Sequence, residues 1–396
     1  MSDSFNDVLP RYRWVILSTV MIIRFISFIF YSIAPVLPLI MKEFQIIAVE
    51  AGILTSISML PGLLLPIPAG ILAGRYGAKR LGIIALFCEV FGRLIFAFSP
   101  RLAAMSIGLF ISGVGSQILN VVMLLLIPQW FSSKELGRSL GFNNAAGTGA
   151  MFVAMIAVSA ISVTYGWRVP FYLGCLMSLI ALIFFFFIVR EGPLLSDAQK
   201  NDQRSLKVMR MALSNPEVWK VGFYWFLVNV TIGSFLTWGP SLFMEFKELS
   251  LVYASIITSI SMIMPSILMP VFGLLSDRMG RRKIFLIIAA SSWVILLPLM
   301  ALSTGVFKLI MLVVLFGSLA AFMPVCCYAL VAEVLGPAKA GAGFGILSFC
   351  GSMSSILGSP LTGYVWDITG SLLNTFSFIV VFSAAGAIVA ALLKTR

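Results

Sequence analysis

The sequence predicts an all-α membrane protein with about twelve transmembrane helices. Composition is the first reason: of 396 residues, 60% are hydrophobic and 11% are charged, whereas soluble domains carry roughly 25% charged residues. The second reason is a series of long apolar runs separated by short polar gaps. A helix needs about 20 residues to cross the hydrocarbon core, and each run is of this length or somewhat longer. Only helices and closed barrels satisfy their backbone in lipid, and these runs are too long for barrel strands.

The apolar runs give the individual spans. The first extends past twenty residues and lacks a small-residue cleavage site, so it is expected to stay in the mature protein as a helix. The predicted spans are 14–41, 49–74, 80–99, 102–130, 139–163, 169–190, 217–244, 250–276, 283–304, 306–332, 341–365 and 372–393.

The distribution of basic residues is the third reason. The net charge is +12, and of 27 Lys and Arg, twenty fall on the side of the predicted spans that carries the N-terminus, five on the other side and two inside spans. An excess of Lys and Arg marks cytoplasmic loops. The pattern therefore predicts an integral protein of the cell (inner) membrane with both termini in the cytoplasm. It accounts for the positive charge without a nucleic-acid partner.

The residue inventory argues against metal and enzyme chemistry. The five cysteines all fall inside predicted spans without metal-ligand spacing, and the chain has no histidine. A zinc site needs several such ligands, and no nucleophile is placed beside a base. The sequence therefore predicts no metal, no cofactor and no enzymatic activity.

A repeated segment divides the chain into halves. Residues 70–80 read GILAGRYGAKR and residues 273–283 read GLLSDRMGRRK, at an offset of 203. Such a repeat predicts two related bundles of six helices, residues 1–190 and 216–396, joined by a cytoplasmic linker at 191–215. Ser214 or Asn215 before Pro216 predicts an N-cap for the seventh span.

The repeated segment also carries a family resemblance. The second copy is similar to the signature loop of the major facilitator superfamily, and the first copy has Gly74 where that family has Asp. The resemblance implies two bundles around a central site that opens alternately to each side. It further implies a gating role for the loop residues, with the latch near Gly74 either weaker or supplied by another group such as Glu135. The loop residues are Gly70, Arg75 and Gly77 in the first copy and Gly273, Asp277, Arg278, Gly280, Arg281 and Arg282 in the second.

Charged residues inside spans are the candidate functional groups, because a charge at the bilayer centre costs at least about 2.5–3.5 kcal/mol. Arg24 lies near the middle of the first span, where an arginine resembles the organic-anion branch of the superfamily. There it is expected either to bind an oxyanion or to pair with Glu89 or backbone carbonyls. Glu89 and Arg93 are four residues apart and share a helix face. They are expected to form a structural ion pair, or Glu89 to carry a coupling proton.

Uncharged polar residues at similar depths are further candidates for substrate contact. For each, a hydrogen bond between helices is the alternative. They are Gln117, Asn120, Asn229 and Trp238. Asn143 and Asn144 in a glycine-rich stretch resemble a motif of nitrate porters, but those porters carry an arginine in the second and eighth spans, and this chain has none in either.

Together these features predict a secondary transporter for a small solute, with an organic or inorganic anion bound near Arg24 as the favoured cargo. Protons or a counter-solute are the expected coupling partners, and a monomer in the lipid bilayer is the expected state. Two alternatives stay open. One is an efflux carrier for lipophilic compounds, although residues 139–163 lack the proline of its usual motif. The other is a transport-fold sensor that binds a ligand without moving it.

Overall fold

The computed structural model describes residues 3–30, 32–131, 133–192, 210–336 and 340–393, and this part of the chain is almost entirely helical. In the first half the helices are α1 (Asp3–Ile29), α2 (Leu37–Phe44), α3 (Ala48–Ile57), α4 (Pro61–Leu64), α5 (Pro66–Tyr76), α6 (Ala78–Phe98), α7 (Leu102–Trp130), α8 (Ser133–Tyr165) and α9 (Val169–Ile188). In the second half they are α10 (Pro216–Lys247), α11 (Leu251–Met279), α12 (Arg282–Leu302), α13 (Val306–Ala320), α14 (Phe322–Leu335), α15 (Ala340–Thr369) and α16 (Leu372–Leu392). The predicted linker lies mostly outside these ranges, at residues 193–209.

The membrane-spanning helices confirm the predicted fold class. Within the described ranges, eleven helical stretches are long and apolar enough to cross a membrane. The second predicted span is the exception, because it is a shorter apolar stretch, Ala48–Leu64, followed by α5. Pro61 and Pro66 each begin a new short helix there. Proline has no N–H to donate to the preceding turn and clashes with it, so the span is broken into three pieces.

Other helix ends follow equally local rules. Asn215 caps α10, its side chain accepting a hydrogen bond from the N–H of Glu217, with Pro216 in the first turn. The predicted N-cap is thus confirmed at Asn215. The tenth span is interrupted between α13 and α14 at Ala321. The interruption is explained by Pro324, which cannot donate to the carbonyl of Ala320.

The chain divides into two compact units whose boundaries cut through the first two spans. One unit contains Met1–Ile33 and Ile57–Lys200, and the other contains Ala34–Ser56 and Asn201–Arg396. Residues 34–56 thus belong to the first half of the sequence repeat but pack within the second unit. Both cuts coincide with interruptions of the helices, after α1 and at the end of α3.

Small residues and aromatic rings both contribute to the packing inside the units. In the first unit, a Cβ built on Gly92 would lie 2.3 Å from the backbone nitrogen of Ser112, and one on Gly108 would lie 2.6 Å from that of Phe96. Helices α6 and α7 therefore approach backbone to backbone, as small residues permit in membranes. In the second unit, Trp238 and Phe235 of α10 are fully buried and contact aromatic rings of α13, α15 and α16 in tilted or edge-on arrangements.

Candidate functional site

Arg24 lies on α1 with its side chain 9% exposed. Its Nη1 donates a 2.8 Å hydrogen bond to Oδ1 of Asn120 on α7, and its guanidinium lies 5.0 Å from the ring centroid of Phe28. Its Nε is buried and has no hydrogen-bond partner in the described part of the chain. Both protein contacts are electrically neutral, so the positive charge of Arg24 has no carboxylate beside it among these residues.

Helix α8 leaves room for this guanidinium. A Cβ built on Gly147 would lie 2.8 Å from Arg24 Nε. Two contacts therefore fix which face of α8 meets α1: Gly147 opposite Arg24, and Glu135 paired with Arg13 at 2.7 Å. Residues four apart share one helix face, so Asn143, four residues before Gly147, lies on this face too.

The sequence singled out Asn143 only for a resemblance to a nitrate-porter motif, and the structure shows a further property of this residue. It is 0% exposed, and neither its Oδ1 nor its Nδ2 has a hydrogen-bond partner among the described residues. A buried amide without partners costs about 1–3 kcal/mol. An uncompensated polar group on the face of α8 that meets α1 marks a place where water or a ligand is needed.

More polar side chains lie on the same two helices. Gln117 is partly exposed on α7, one turn before Asn120, and Asn144 and Thr148 are exposed on α8. Exposed polar side chains in the middle of apolar spans usually line a water-filled cavity. Of the predicted substrate-binding residues, the structure thus brings Arg24 into contact with Asn120 and places Gln117 on the same helix as Asn120.

Glu89 and Arg93 lie together in the first unit and are more completely buried than Arg24, at 0% and 2% exposure. Arg93 Nη2 is 3.3 Å from Glu89 Oε2, and Ser27 donates to the same carboxylate oxygen at 2.9 Å. Arg93 also donates to the carbonyls of Ser27 and Gly174 and to the hydroxyl of Ser178. The two charges neutralise one another, and Glu89 does not contact Arg24.

The two candidates in the second unit have different surroundings. Asn229 is partly exposed, and its side-chain amide donates to the carbonyl of Trp225 one turn earlier, at 2.7 Å. Trp238 is fully buried, and its indole N–H donates to the carbonyl of Ser359 at 2.9 Å. Trp238 therefore makes the interhelical hydrogen bond that was the alternative to substrate contact.

The first copy of the loop motif contains a glycine that no other residue can replace without strain. Gly77, between α5 and α6, has φ +92°, and a Cβ there would lie 2.1 Å from a carboxylate oxygen of Glu191. That oxygen also accepts from the N–H of Lys79, at 3.4 Å.

The other residues of the first copy lie on α5. Gly70 is within the helix, and Arg75, in its last turn, is exposed beside the ring of Tyr76. Glu135 is engaged with Arg13, so the carboxylate near this loop is Glu191, which the sequence did not single out.

The second copy has the same backbone feature and a different ion pair. Gly280 has φ +60° and ends α11, a left-handed conformation that glycine adopts without steric cost. Arg282 pairs with Glu333 of α14 at 3.2 Å, and Arg278 and Arg281 are exposed. Gly273 and Asp277 lie on α11, and their side-chain surroundings are outside the described part of the chain.

Comparison with known proteins places this arrangement among transporters. The chain is 25% identical over 376 residues to a probable nitrate/nitrite antiporter of Thermus thermophilus, covering 87% of this chain and 83% of that protein. It is also 25% identical over 362 residues to a hexuronate transporter of Bacillus subtilis, covering 86% and 84%.

A solved structure and a family model identify the fold and the family. The crystal structure of a bacterial homologue of the human lysosomal transporter Spinster superimposes with a TM-score of 0.84 at 14% identity, covering 96% of this chain and 97% of that chain. The model of the Major Facilitator Superfamily matches residues 20–264 and 243–396. This protein is therefore an integral membrane transporter that belongs to the Major Facilitator Superfamily.

Proposed function

We propose that this chain is a secondary transporter that carries a small anion by alternating access and binds it through Arg24. One observation carries the proposal: Arg24 is a buried guanidinium whose described contacts are neutral and whose Nε is unpartnered. A charge inside the membrane is retained only where something compensates it. An anionic solute at Arg24 supplies that compensation and leaves the site neutral when loaded.

The surroundings favour a small organic carboxylate with additional polar groups. A planar guanidinium binds a carboxylate with two parallel hydrogen bonds. The amides of Gln117 and Asn144 and the hydroxyl of Thr148 offer further hydrogen bonds to hydroxyl groups of a solute. The relatives named for nitrate/nitrite and hexuronate transport both carry anions. The second and eighth predicted spans contain no arginine of the kind nitrate porters use. A carboxylate that also carries hydroxyl groups is therefore favoured over nitrate or nitrite as the solute.

Glu89 is the proposed site of a coupling proton. It is the one acidic side chain among the fully buried residues that the structure describes, and its Oε1 has no hydrogen-bond partner there. Ser27, which donates to Glu89, lies one helical turn after Arg24 on α1. One turn of α1 thus connects the protonation state of Glu89 to the proposed substrate contact at Arg24.

A thermal-stability screen of the detergent-purified protein tests the substrate class. The compounds are small hydroxy carboxylates, nitrate and nitrite, neutral sugars and lipophilic cations. A ligand that binds only the folded protein stabilises it by about 2.7 kcal/mol at a hundredfold excess over its Kd. We expect a hydroxy carboxylate to raise the melting temperature of the parent and of Arg101→Gln, a control that removes an exposed arginine, but not that of Arg24→Gln.

Other outcomes assign the protein to the alternatives. Stabilisation by lipophilic cations, or by an anion regardless of Arg24, contradicts the proposal and favours an efflux carrier. Binding without solute flux in proteoliposomes favours a sensor.

Flux measurements test the coupling. In protein shown to stay folded and monodisperse without the counter-ion of Arg93, we expect Glu89→Gln to abolish accumulation driven by a pH gradient while exchange of labelled for unlabelled substrate continues, because exchange needs no net proton movement. Gradient-driven accumulation that persists in this variant removes Glu89 from the coupling role.

A further inference from the structure

A groove lies on the surface of the second unit, between the end of α12 and the start of α13. Its volume is about 370 Å³, and it sits where these two membrane-crossing helices are joined by residues 303–305. Because α12 begins within the second copy of the loop motif, the groove lies at the opposite end of the spans. It is therefore at the depth where the hydrocarbon core meets the lipid headgroups.

The walls of the groove are apolar side chains that the rest of the second unit leaves exposed. They include Leu299 and Leu302 of α12 and Phe307 and Met311 of α13, each at least 44% exposed. Met311 lies about 9 Å along α13 from Gly305, at 1.5 Å per residue. The walls therefore extend from the headgroup layer into the hydrocarbon layer, where a concave apolar surface fits an acyl chain.

The mouth of the groove is polar and positively charged. Ser303 and Thr304 line it together with Lys308, an exposed residue in the first turn of α13. Gly305 is the N-cap residue and no side chain caps this helix start, so the first N–H groups of α13 add to the positive potential. No acidic residue is among those that line the groove in the part of the chain that the structure describes. The mouth therefore complements a negative charge.

A second lysine holds the connection between α12 and α13 in place. Nζ of Lys247, at the end of α10, donates to the carbonyls of Ala301 and Ser303, at 2.6 Å each. The hydroxyl of Ser303 donates to the carbonyl of Met300 at 2.8 Å. Gly305 has φ +96°, a conformation that glycine adopts without steric cost. The groove therefore has a fixed shape, and Lys247 adds a further positive charge beside it.

We propose that this groove binds one anionic phospholipid, with the phosphate at Lys308 and an acyl chain along the apolar walls. The hydroxyl of Thr304 at the mouth is a further hydrogen-bond donor to the headgroup. A zwitterionic lipid fits less well, because its ammonium group meets no carboxylate in the groove. A soluble phosphate compound has no chain to cover the walls. The lipid site is separate from the proposed solute contact at Arg24.

Photo-crosslinking in detergent locates the lipid. The probe is phosphatidylglycerol with a photoreactive group in one acyl chain, and labelling is quantified on the peptides that carry residues 299–312. We expect saturable labelling that unlabelled phosphatidylglycerol reduces, while phosphatidylethanolamine with the same acyl chains and soluble glycerol phosphate do not. Labelling that does not saturate, or that the two lipids reduce equally, overturns the proposal. Competition by glycerol phosphate at the same concentration as the lipid overturns it in favour of a soluble phosphate compound.

Lys308→Gln tests the charge at the mouth. One basic residue near a membrane surface changes the affinity for anionic lipid by about fivefold, so we expect labelling at subsaturating lipid to fall by about that factor. Lys42→Gln removes another exposed lysine of the second unit that does not line the groove, and it should label like the parent. Equal labelling of Lys308→Gln and the parent overturns the proposal.

Met311→Trp tests the apolar wall, because the larger side chain fills part of the groove. We expect labelling to fall by at least about fivefold, as overpacking of a binding surface predicts. Leu315→Trp is the matched control: Leu315 lies one turn further along α13, is 48% exposed like Met311, and does not line the groove. Equal labelling of the two tryptophan variants shows that the acyl chain lies elsewhere and overturns the proposal.

The lipid site and the proposed transport function fail separately. Arg24→Gln should keep parental labelling by the lipid probe, and Lys308→Gln should keep the parental response in the solute screen. Loss of lipid labelling in Arg24→Gln contradicts the assignment of the lipid to this groove.

Discussion

Two arginines lie inside the spans of the first unit, and their surroundings differ. Arg93 is 2% exposed and contacts a carboxylate, two carbonyls and a hydroxyl. Arg24 is 9% exposed and contacts one neutral amide and one aromatic ring. A buried charge that has a counter-ion serves the fold, whereas one without a counter-ion is available to a ligand.

This difference shows how intramembrane charges can be sorted. Both are arginines inside predicted spans, so residue type and location within a span do not distinguish them. The distinction comes from what lies beside each guanidinium: Arg93 pairs with Glu89 one turn earlier on its own helix α6, whereas α8 presents Gly147 rather than a carboxylate to Arg24. Substitutions that add or remove a counter-ion at either arginine therefore test the distinction.

The largest effect is expected from Arg93→Met. Removing one partner of a buried ion pair leaves the other charge uncompensated, which costs about 3–5 kcal/mol. We expect a corresponding loss in the free energy of unfolding, measured by denaturant titration in detergent. The double variant Glu89→Gln with Arg93→Met should recover most of it, because no charge is then buried alone. If the double variant is as unstable as the single one, the pair is not what stabilises this region.

Arg24→Gln is expected to affect binding rather than folding. Hydrogen bonds to a charged group contribute about 1.5–3 kcal/mol, so affinity for the stabilising anion should fall roughly tenfold to a hundredfold. The melting temperature of the ligand-free protein should change little, since no ion pair of Arg24 is lost. Isothermal titration and thermal unfolding measure the two quantities on the same samples. A large loss of stability with unchanged affinity would show that Arg24, like Arg93, serves the fold.

Asn120→Asp is designed to make Arg24 resemble Arg93. The new carboxylate would lie at the position of the amide oxygen that accepts from Arg24 at 2.8 Å, and it would compete with the anionic solute. We expect anion affinity to fall by about tenfold, equivalent to about 1.4 kcal/mol, with the ligand-free protein equally or more stable. Ser116→Asp adds the same charge one turn before Asn120, at a residue that is not a proposed solute contact, and is the control. An equal loss in both variants would indicate long-range repulsion rather than capture of Arg24.

The sequence predicted most of the fold because each span carries its own signal. Apolar length, proline positions and the Asn215 cap are local properties. For the candidate site, the sequence predicted which types of residue take part but not which partners they contact. Partners such as Asn120 for Arg24 and Ser27 for Glu89 lie 96 and 62 residues away, and periodicity carries no information about such pairs. Glu191 was missed for the same reason, since its role depends on which helix end lies opposite.

The smallest effect is expected at Gly147, where a methyl group tests how closely α8 fits Arg24. A Cβ there would lie 2.8 Å from Arg24 Nε and 3.5 Å from Nη2, so Gly147→Ala must push the guanidinium aside by a few tenths of an ångström. Because the side chain is flexible, we expect a loss of anion affinity of only about threefold, less than the about 1–3 kcal/mol that overpacking of a rigid core costs. Gly149→Ala on the same helix meets no atom within 4 Å and should bind like the parent. Equal affinities for the two alanine variants would mean that the guanidinium holds the anion from a position other than the one beside Gly147.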